Sequence, residues 1–156
     1  MGNKKAAIGL SVTAIVILIL AIVMLGLGVG FIKGMFTKVS TQIEQQIAAE
    51  PEPYFPTASS PVSLSREMIM TNAGAREVIK VSTFNPTDET WDSVEPVLSC
   101  DSLVIAEQSA NERDVRQGKI ETFNLLFTVP LQSPGSYLCS VGIEDYNKDL
   151  TIEIME

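Results

Sequence analysis

Residue types that do chemistry are sparse in this sequence. The 156-residue chain has two cysteines, Cys100 and Cys139, and no histidine. Without imidazole there is no His-based triad, no His general acid or base and no ordinary zinc site. An even pair of cysteines favours a disulfide formed in an oxidising compartment; two buried free thiols are the alternative that the count leaves open. Carboxylates are plentiful. Asp88, Glu89, Asp92 and Glu95 crowd one turn-rich stretch, where solvated surface acids are expected. A second acidic run, Asp145-Tyr146-Asn147-Lys148-Asp149, has the D-x-N-x-D spacing of a calcium loop, with Glu156 at the twelfth position. Leu150 stands where that loop needs glycine for its sharp turn, so two strands joined by a turn is the better reading. No catalytic residue, metal site or cofactor is expected, and the chain reads as something other than an enzyme.

From Val62 onward the hydrophobic period is that of strands. The pattern predicts strands over 62–71, 76–84, 94–106 with a break, 118–129, 136–144 and 150–155. Alternation is clearest in Phe123/Leu125/Phe127/Val129, in Tyr137/Cys139/Val141/Ile143 and in Leu150/Ile152/Ile154. Turns are marked by Asn72-Ala73-Gly74, Asn85-Pro86-Thr87-Asp88, Arg116-Gln117-Gly118 and Ser133-Pro134-Gly135. Short strands at this spacing argue for an antiparallel β-sandwich over 62–156. Pro134-Gly135-Ser136-Tyr137-Leu138-Cys139-Ser140-Val141 resembles the late strand of immunoglobulin-like domains. In those domains a Tyr two residues before the second Cys makes the tyrosine corner, which the resemblance implies for Tyr137. Trp91 precedes Cys100, the reverse of the antibody-type order, so a Cys100–Cys139 bridge would not occupy that family's standard position. It would still constrain the unfolded chain by about 4 kcal/mol.

What precedes the sandwich is different in kind. No charge falls between Ala6 and Ile32, which is roughly 40 Å of helix rich in Ile, Leu and Val. Residues 6–35 are therefore read as a transmembrane helix after a basic cytoplasmic head, 1–5. Gly26, Gly30 and Gly34 share one stripe of that helix, a spacing that lets another helix approach closely, although glycine is also simply common in membrane helices. Phe36, Val39, Ile43 and Ile47 continue the helical period over 36–49, so a single helix of roughly 66 Å is expected. Pro51 is the first breaker. Residues 50–61, with four of the eight prolines, read as an extended linker in which Tyr54 and Phe55 pack on the domain or lie near the membrane surface. The fold class is thus α+β: a long N-terminal transmembrane helix, then an all-β antiparallel immunoglobulin-like sandwich.

Charge divides along the same line. Residues 1–49 carry a net +3 and residues 50–156 a net −11. An acidic domain has no electrostatic grip on nucleic acid or on an anionic bilayer, so nucleic acid is not an expected partner; no small-molecule substrate is expected either. The apolar run is too long for a secretory signal and lacks a small-x-small cleavage site. Ala6 stands where a myristoylation motif needs Ser or Thr. Asn85-Pro86-Thr87 fails as a glycosylation acceptor because proline fills the middle position. Lysines flank the span equally, so orientation follows from the cysteines: N-terminus in the cytoplasm, C-terminal domain outside, single-pass in the cell membrane.

Basic head, long apolar helix, amphipathic extension and distal β-domain together resemble archaeal type IV pilin-like proteins with a class III signal peptide. Lys4-Lys5-Ala6 followed by Ala7-Ile8-Gly9-Leu10-Ser11-Val12 carry the resemblance. It implies that a prepilin peptidase cuts between Ala6 and Ala7 and that the helix then packs into a filament core. Ala6 replaces the glycine of many relatives, and no acid appears early in the helix. The alternative is an uncleaved single-pass protein whose sandwich binds an envelope or surface-layer partner, the plan of archaellum stator subunits.

Overall fold

The computed structural model describes residues 4–155, with side chains from residue 12 onward except at 37 and 39. Residues 1–3 of the basic head, the side chains of the processing residues Lys4, Lys5, Ala6 and Ala7, that of Val39, and Glu156 lie outside what is described. The chain forms two compact units, Met1–Glu44 and Gln45–Glu156.

Helix α1 spans Lys4–Ala49. From Val12 to Phe36 its large apolar side chains are exposed on every face, which suits lipid and not water. It is the one described helix long and apolar enough to cross a membrane. Beyond Phe36 the apolar residues thin to a stripe, and Ile43 and Ile47 are half-buried. The helix stops at Ala49 because Pro51 lacks an N–H and pushes the residue before it out of the α region; Glu50 N–H still reaches Gln46 C=O at 3.0 Å.

The second unit is a β-sandwich of ten strands: β1 (Val62–Leu64), β2 (Met68–Asn72), β3 (Arg76–Phe84), β4 (Trp91–Val94), β5 (Val97–Cys100), β6 (Gln108–Ser109), β7 (Arg113–Val115), β8 (Ile120–Thr128), β9 (Gly135–Ile143) and β10 (Tyr146–Met155). One sheet has the order β1-β3-β8-β6, the other β2-β10-β9-β5, and β4-β7 form a small pair. Read as immunoglobulin strands, β1-β3-β8-β6 follow the A-B-E-D order and β5-β9-β10 the C-F-G order. The sandwich is not wholly antiparallel, for β2 runs parallel to β10, with Met68 beside Thr151 and Asn72 beside Met155.

Two expected strands divide. The stretch 62–71 breaks at Ser65-Arg66-Glu67 and sends its halves to opposite sheets. Ser65 N–H bonds Lys80 C=O in the first sheet, while Glu67 C=O accepts Thr151 N–H in the second. The stretch expected at 94–106 starts earlier, at Trp91, and is interrupted at Pro96, which cannot donate to a ladder. Alternation elsewhere places side chains as the period-2 rule requires. Ile69, Ile79, Val81, Leu98, Phe123, Leu125, Phe127, Val141, Ile143, Leu150, Ile152 and Ile154 fill one core between the sheets. Gly74 (φ 79°) and Gly118 (φ 64°) take left-handed turn positions that a side chain would strain.

Candidate functional site

Cys100 and Cys139 form a disulfide. They are directly opposed on neighbouring strands β5 and β9 of one sheet, so the bridge does not join the two sheets. Asp101 N–H bonds Leu138 C=O next to it, which makes the cysteines a non-hydrogen-bonded pair, the site where opposed residues approach closest. Two residues before Cys139 on β9, the Tyr137 hydroxyl donates to Ser133 C=O at 2.7 Å. This is the tyrosine corner that the late-strand pattern implied.

The acidic run is not a calcium loop. The β9–β10 turn is only Glu144-Asp145, with Glu144 at φ 51°. Tyr146 to Asp149 already pair in β10, with Asn147 opposite Gly142, so no loop wraps an ion. Among the described residues, no group of three or more His, Cys, Asp or Glu side chains is placed to hold a metal. Asp88, Glu89, Asp92 and Glu95 are all exposed; Asp88 accepts a bond from Gln117 Nε2 at 3.2 Å. Gly26, Gly30 and Gly34 lie along α1, and beyond the helix's own adjacent backbone nothing lies within 4 Å of an added Cβ.

The expectation for residues 50–61 changes most. Tyr54 and Phe55 stand almost fully exposed, and Pro56 is the residue that is buried. The stretch is tied down by polar groups. Glu50, with 8% of its side chain exposed, takes Arg66 Nε at 2.8 Å and the Ser65 hydroxyl on the same oxygen. Arg66 Nη2 also donates to Val78 C=O at 3.0 Å and reaches Glu77 at 3.5 Å, and Glu77 accepts from the Thr71 hydroxyl at 2.6 Å. Lys80 pairs with Glu52 at 2.5 Å, and the Ser63 hydroxyl donates to Tyr54 C=O at 2.5 Å. A proline-rich composition gave no hint of this clamp, because its partners lie 15 and 16 residues further along the chain.

A second feature without a motif is the treatment of sheet edges. On the open side of β5, Gln108 Oε1 accepts from Leu98 N–H at 2.7 Å and Nε2 donates to Leu98 C=O at 3.2 Å. The side-chain amide thus fills the two groups that another strand would use. Edge β2 has no such cover, and its Met68 and Met70 are exposed.

No protein-family model and no curated protein matches the chain. Solved structures with a similar shape include the FixG-related protein from Vibrio parahaemolyticus, at 6% identity and TM-score 0.39, covering 53% of this chain and 80% of that one. The cupredoxin domain of amoB from Nitrosocaldus yellowstonii has 10% identity and TM-score 0.36 over 59% and 83%. The ASH/PapD-like domain 7 of human CEP192 has 13% identity and TM-score 0.34 over 67% and 92%.

Proposed function

We propose that this chain is a membrane-anchored structural subunit resembling a type IV pilin. Its helix α1 sits in the membrane and packs against α1 of other copies, and its sandwich is presented outside the cell. The observation that carries the reading is the continuity of α1. About 20 apolar residues suffice to cross a bilayer, yet this helix runs unbroken from Lys4 to Ala49. The glycine stripe supports the packing, since the chain's own contacts demand glycine at none of Gly26, Gly30 and Gly34. The Cys100–Cys139 bridge supports the orientation, because disulfides persist in oxidising compartments. The role is structural and involves no catalysis.

Intact mass of the membrane-extracted protein tests processing. Loss of the six residues through Ala6 is expected. A mass that retains them replaces the pilin reading with that of an uncleaved single-pass protein whose sandwich engages an envelope or surface-layer partner. Crosslinking in native membranes tests assembly. Gly30→Leu should weaken it, while Gly28→Leu, about 200° around the helix, should not. Equal crosslinking in the wild type and both variants refutes helix packing.

A further inference from the structure

We propose that residues 50–61 form a releasable strap, which opens and closes on the sandwich while both sheets stay folded. Closed, it holds Glu50 against Ser65 and Arg66. Opened, it is a free tether at the domain's N-terminal end. This is independent of how copies of α1 pack and of whether the basic head is cut.

What the strap lacks is apolar burial. Eight of the ten residues 51–60 are exposed, Tyr54 (90%) and Phe55 (88%) among them, and of the ten only Pro56 is buried. The core between the sheets begins at Val62 and takes in nothing before it. Lifting the strap therefore uncovers little apolar surface, and few buried apolar contacts are what mark a segment that opens by itself. Strands β3, β8, β9 and β10 are the opposite case, each with Ile, Leu, Val or Phe side chains inside the core.

Polar ties near its two ends hold the strap instead. At one end the Glu50 carboxylate takes the Ser65 hydroxyl and Arg66 Nε, Glu52 takes Lys80 Nζ, and Tyr54 C=O takes the Ser63 hydroxyl. At the other, Pro61 C=O accepts Phe84 N–H at 2.8 Å and the Thr83 hydroxyl at 3.1 Å. Between them, the bonds of Thr57, Ser59 and Ser60 stay inside the turn they form. The first set can let go without disturbing the sheet. Arg66 keeps Val78 C=O and Glu77, Ser65 Oγ keeps Lys80 N–H, and the freed Glu52 is already 78% exposed. Pro61 then serves as the hinge. With Pro51, Pro53, Pro56 and Pro61 the opened strap stays extended, roughly 35 Å long. Prolines also leave it less disorder to lose on reclosing.

Chymotrypsin reads the opening. It cuts after Tyr54 only where several residues around the bond can extend into the protease, which the closed strap, with Tyr54 C=O engaged and Pro56 buried, prevents. The full-length chain in mild detergent is digested briefly across a urea series. The fragment beginning at Phe55 is measured, while fluorescence of Trp91, the single tryptophan, follows the sandwich. Below the global transition the cut should proceed at a rate almost independent of urea. Cleavage then tracks the open population, so Glu50→Gln should speed it about tenfold and Glu52→Gln about threefold. Arg113→Gln removes an exposed ion pair with Glu121 between β7 and β8 and should leave the rate unchanged. Should Glu50→Gln lose its fold, Glu52→Gln carries the comparison, because Glu52 lies mostly in solvent. A cut that appears only in step with the loss of the folded Trp91 signal overturns the strap, since the segment then opens only with the sandwich. Equal rates in the wild type, Glu50→Gln and Glu52→Gln overturn it too, since those ties would then hold nothing.

Discussion

Asn85 offers the sharpest test of how this sandwich is held at one end. Its side chain has no exposed surface and makes four hydrogen bonds. Nδ2 donates to Glu89 C=O at 2.7 Å and to Val115 C=O at 2.8 Å; Oδ1 accepts Thr87 N–H at 2.9 Å and the Thr87 hydroxyl at 2.6 Å. Its backbone adds bonds to Lys119 and Gly118. One amide thereby ties together the β3–β4 loop, strand β7 and the β7–β8 turn. Replacing it with alanine takes a buried donor away from Val115 C=O, at a cost of about 1–3 kcal/mol. Glu89 and Thr87 lie nearer water and recover part of their bonds, so the total loss is about 3–4 kcal/mol, a large share of a typical domain's 5–15. Trp91, the single tryptophan, pairs with Val115, so its fluorescence reads this region directly. In urea, with a slope of about 2 kcal/mol/M, Asn85→Ala should move the midpoint down by about 1.5–2 M in the detergent-solubilised chain. Thr87→Val, which removes only the hydroxyl donor, should cost about 1 kcal/mol. A midpoint for Asn85→Ala within about 0.3 M of wild type would refute the reasoning, because the groups Asn85 holds would then be satisfied without it.

Three further outcomes are expected. Thiol labelling of the denatured, unreduced protein should find no free cysteine, and replacing Cys100 and Cys139 together by alanine should cost about 4 kcal/mol in chemical unfolding. Glu50→Ala takes a buried acceptor from Ser65 and from Arg66, which keeps Glu77 and Val78 C=O, and should destabilise by about 1–3 kcal/mol, measured by thermal unfolding, while Glu50→Gln should cost less because it keeps an acceptor for Ser65. Gln108→Ala should leave the fold intact by circular dichroism but uncover the β5 edge, so that light scattering on warming rises earlier than for wild type; unchanged scattering would mean the amide protects nothing.

The parts legible in the sequence were those written in a short period. Unbroken Ile, Leu and Val made α1 plain, and strict alternation in 123–129, 137–143 and 150–154 placed the inward faces of β8, β9 and β10. The tyrosine corner was legible because its parts lie within a few residues of each other. What stayed hidden depends on partners far apart in sequence. Asn85-Pro86-Thr87-Asp88 announced a turn, but nothing local said that Asn85 would be buried and bonded to Val115, 30 residues on. Glu50 looked like one more linker acid until Ser65 and Arg66 came beside it. The switch between sheets at Ser65-Arg66-Glu67 was marked only by three polar residues in a row, a signal that a surface strand also gives. Edge β2 could not be recognised, since whether a strand is central or marginal is a property of the whole sheet order.

The place of the disulfide within one sheet has a mechanical side. A bridge across the sandwich would bolt the two sheets together; this one short-circuits the chain. The 39-residue separation between Cys100 and Cys139 covers β6, β7 and β8, one of which is a central strand of the opposite sheet. If the domain were drawn out by tension applied at residue 50 and at its far end, that segment could never join the extended length. At about 3.4 Å per residue the reach of the oxidised chain is shorter than that of the reduced chain by roughly 130 Å. A domain held at the end of a long helix and exposed to drag would then yield only part of its length before the covalent link bore the load.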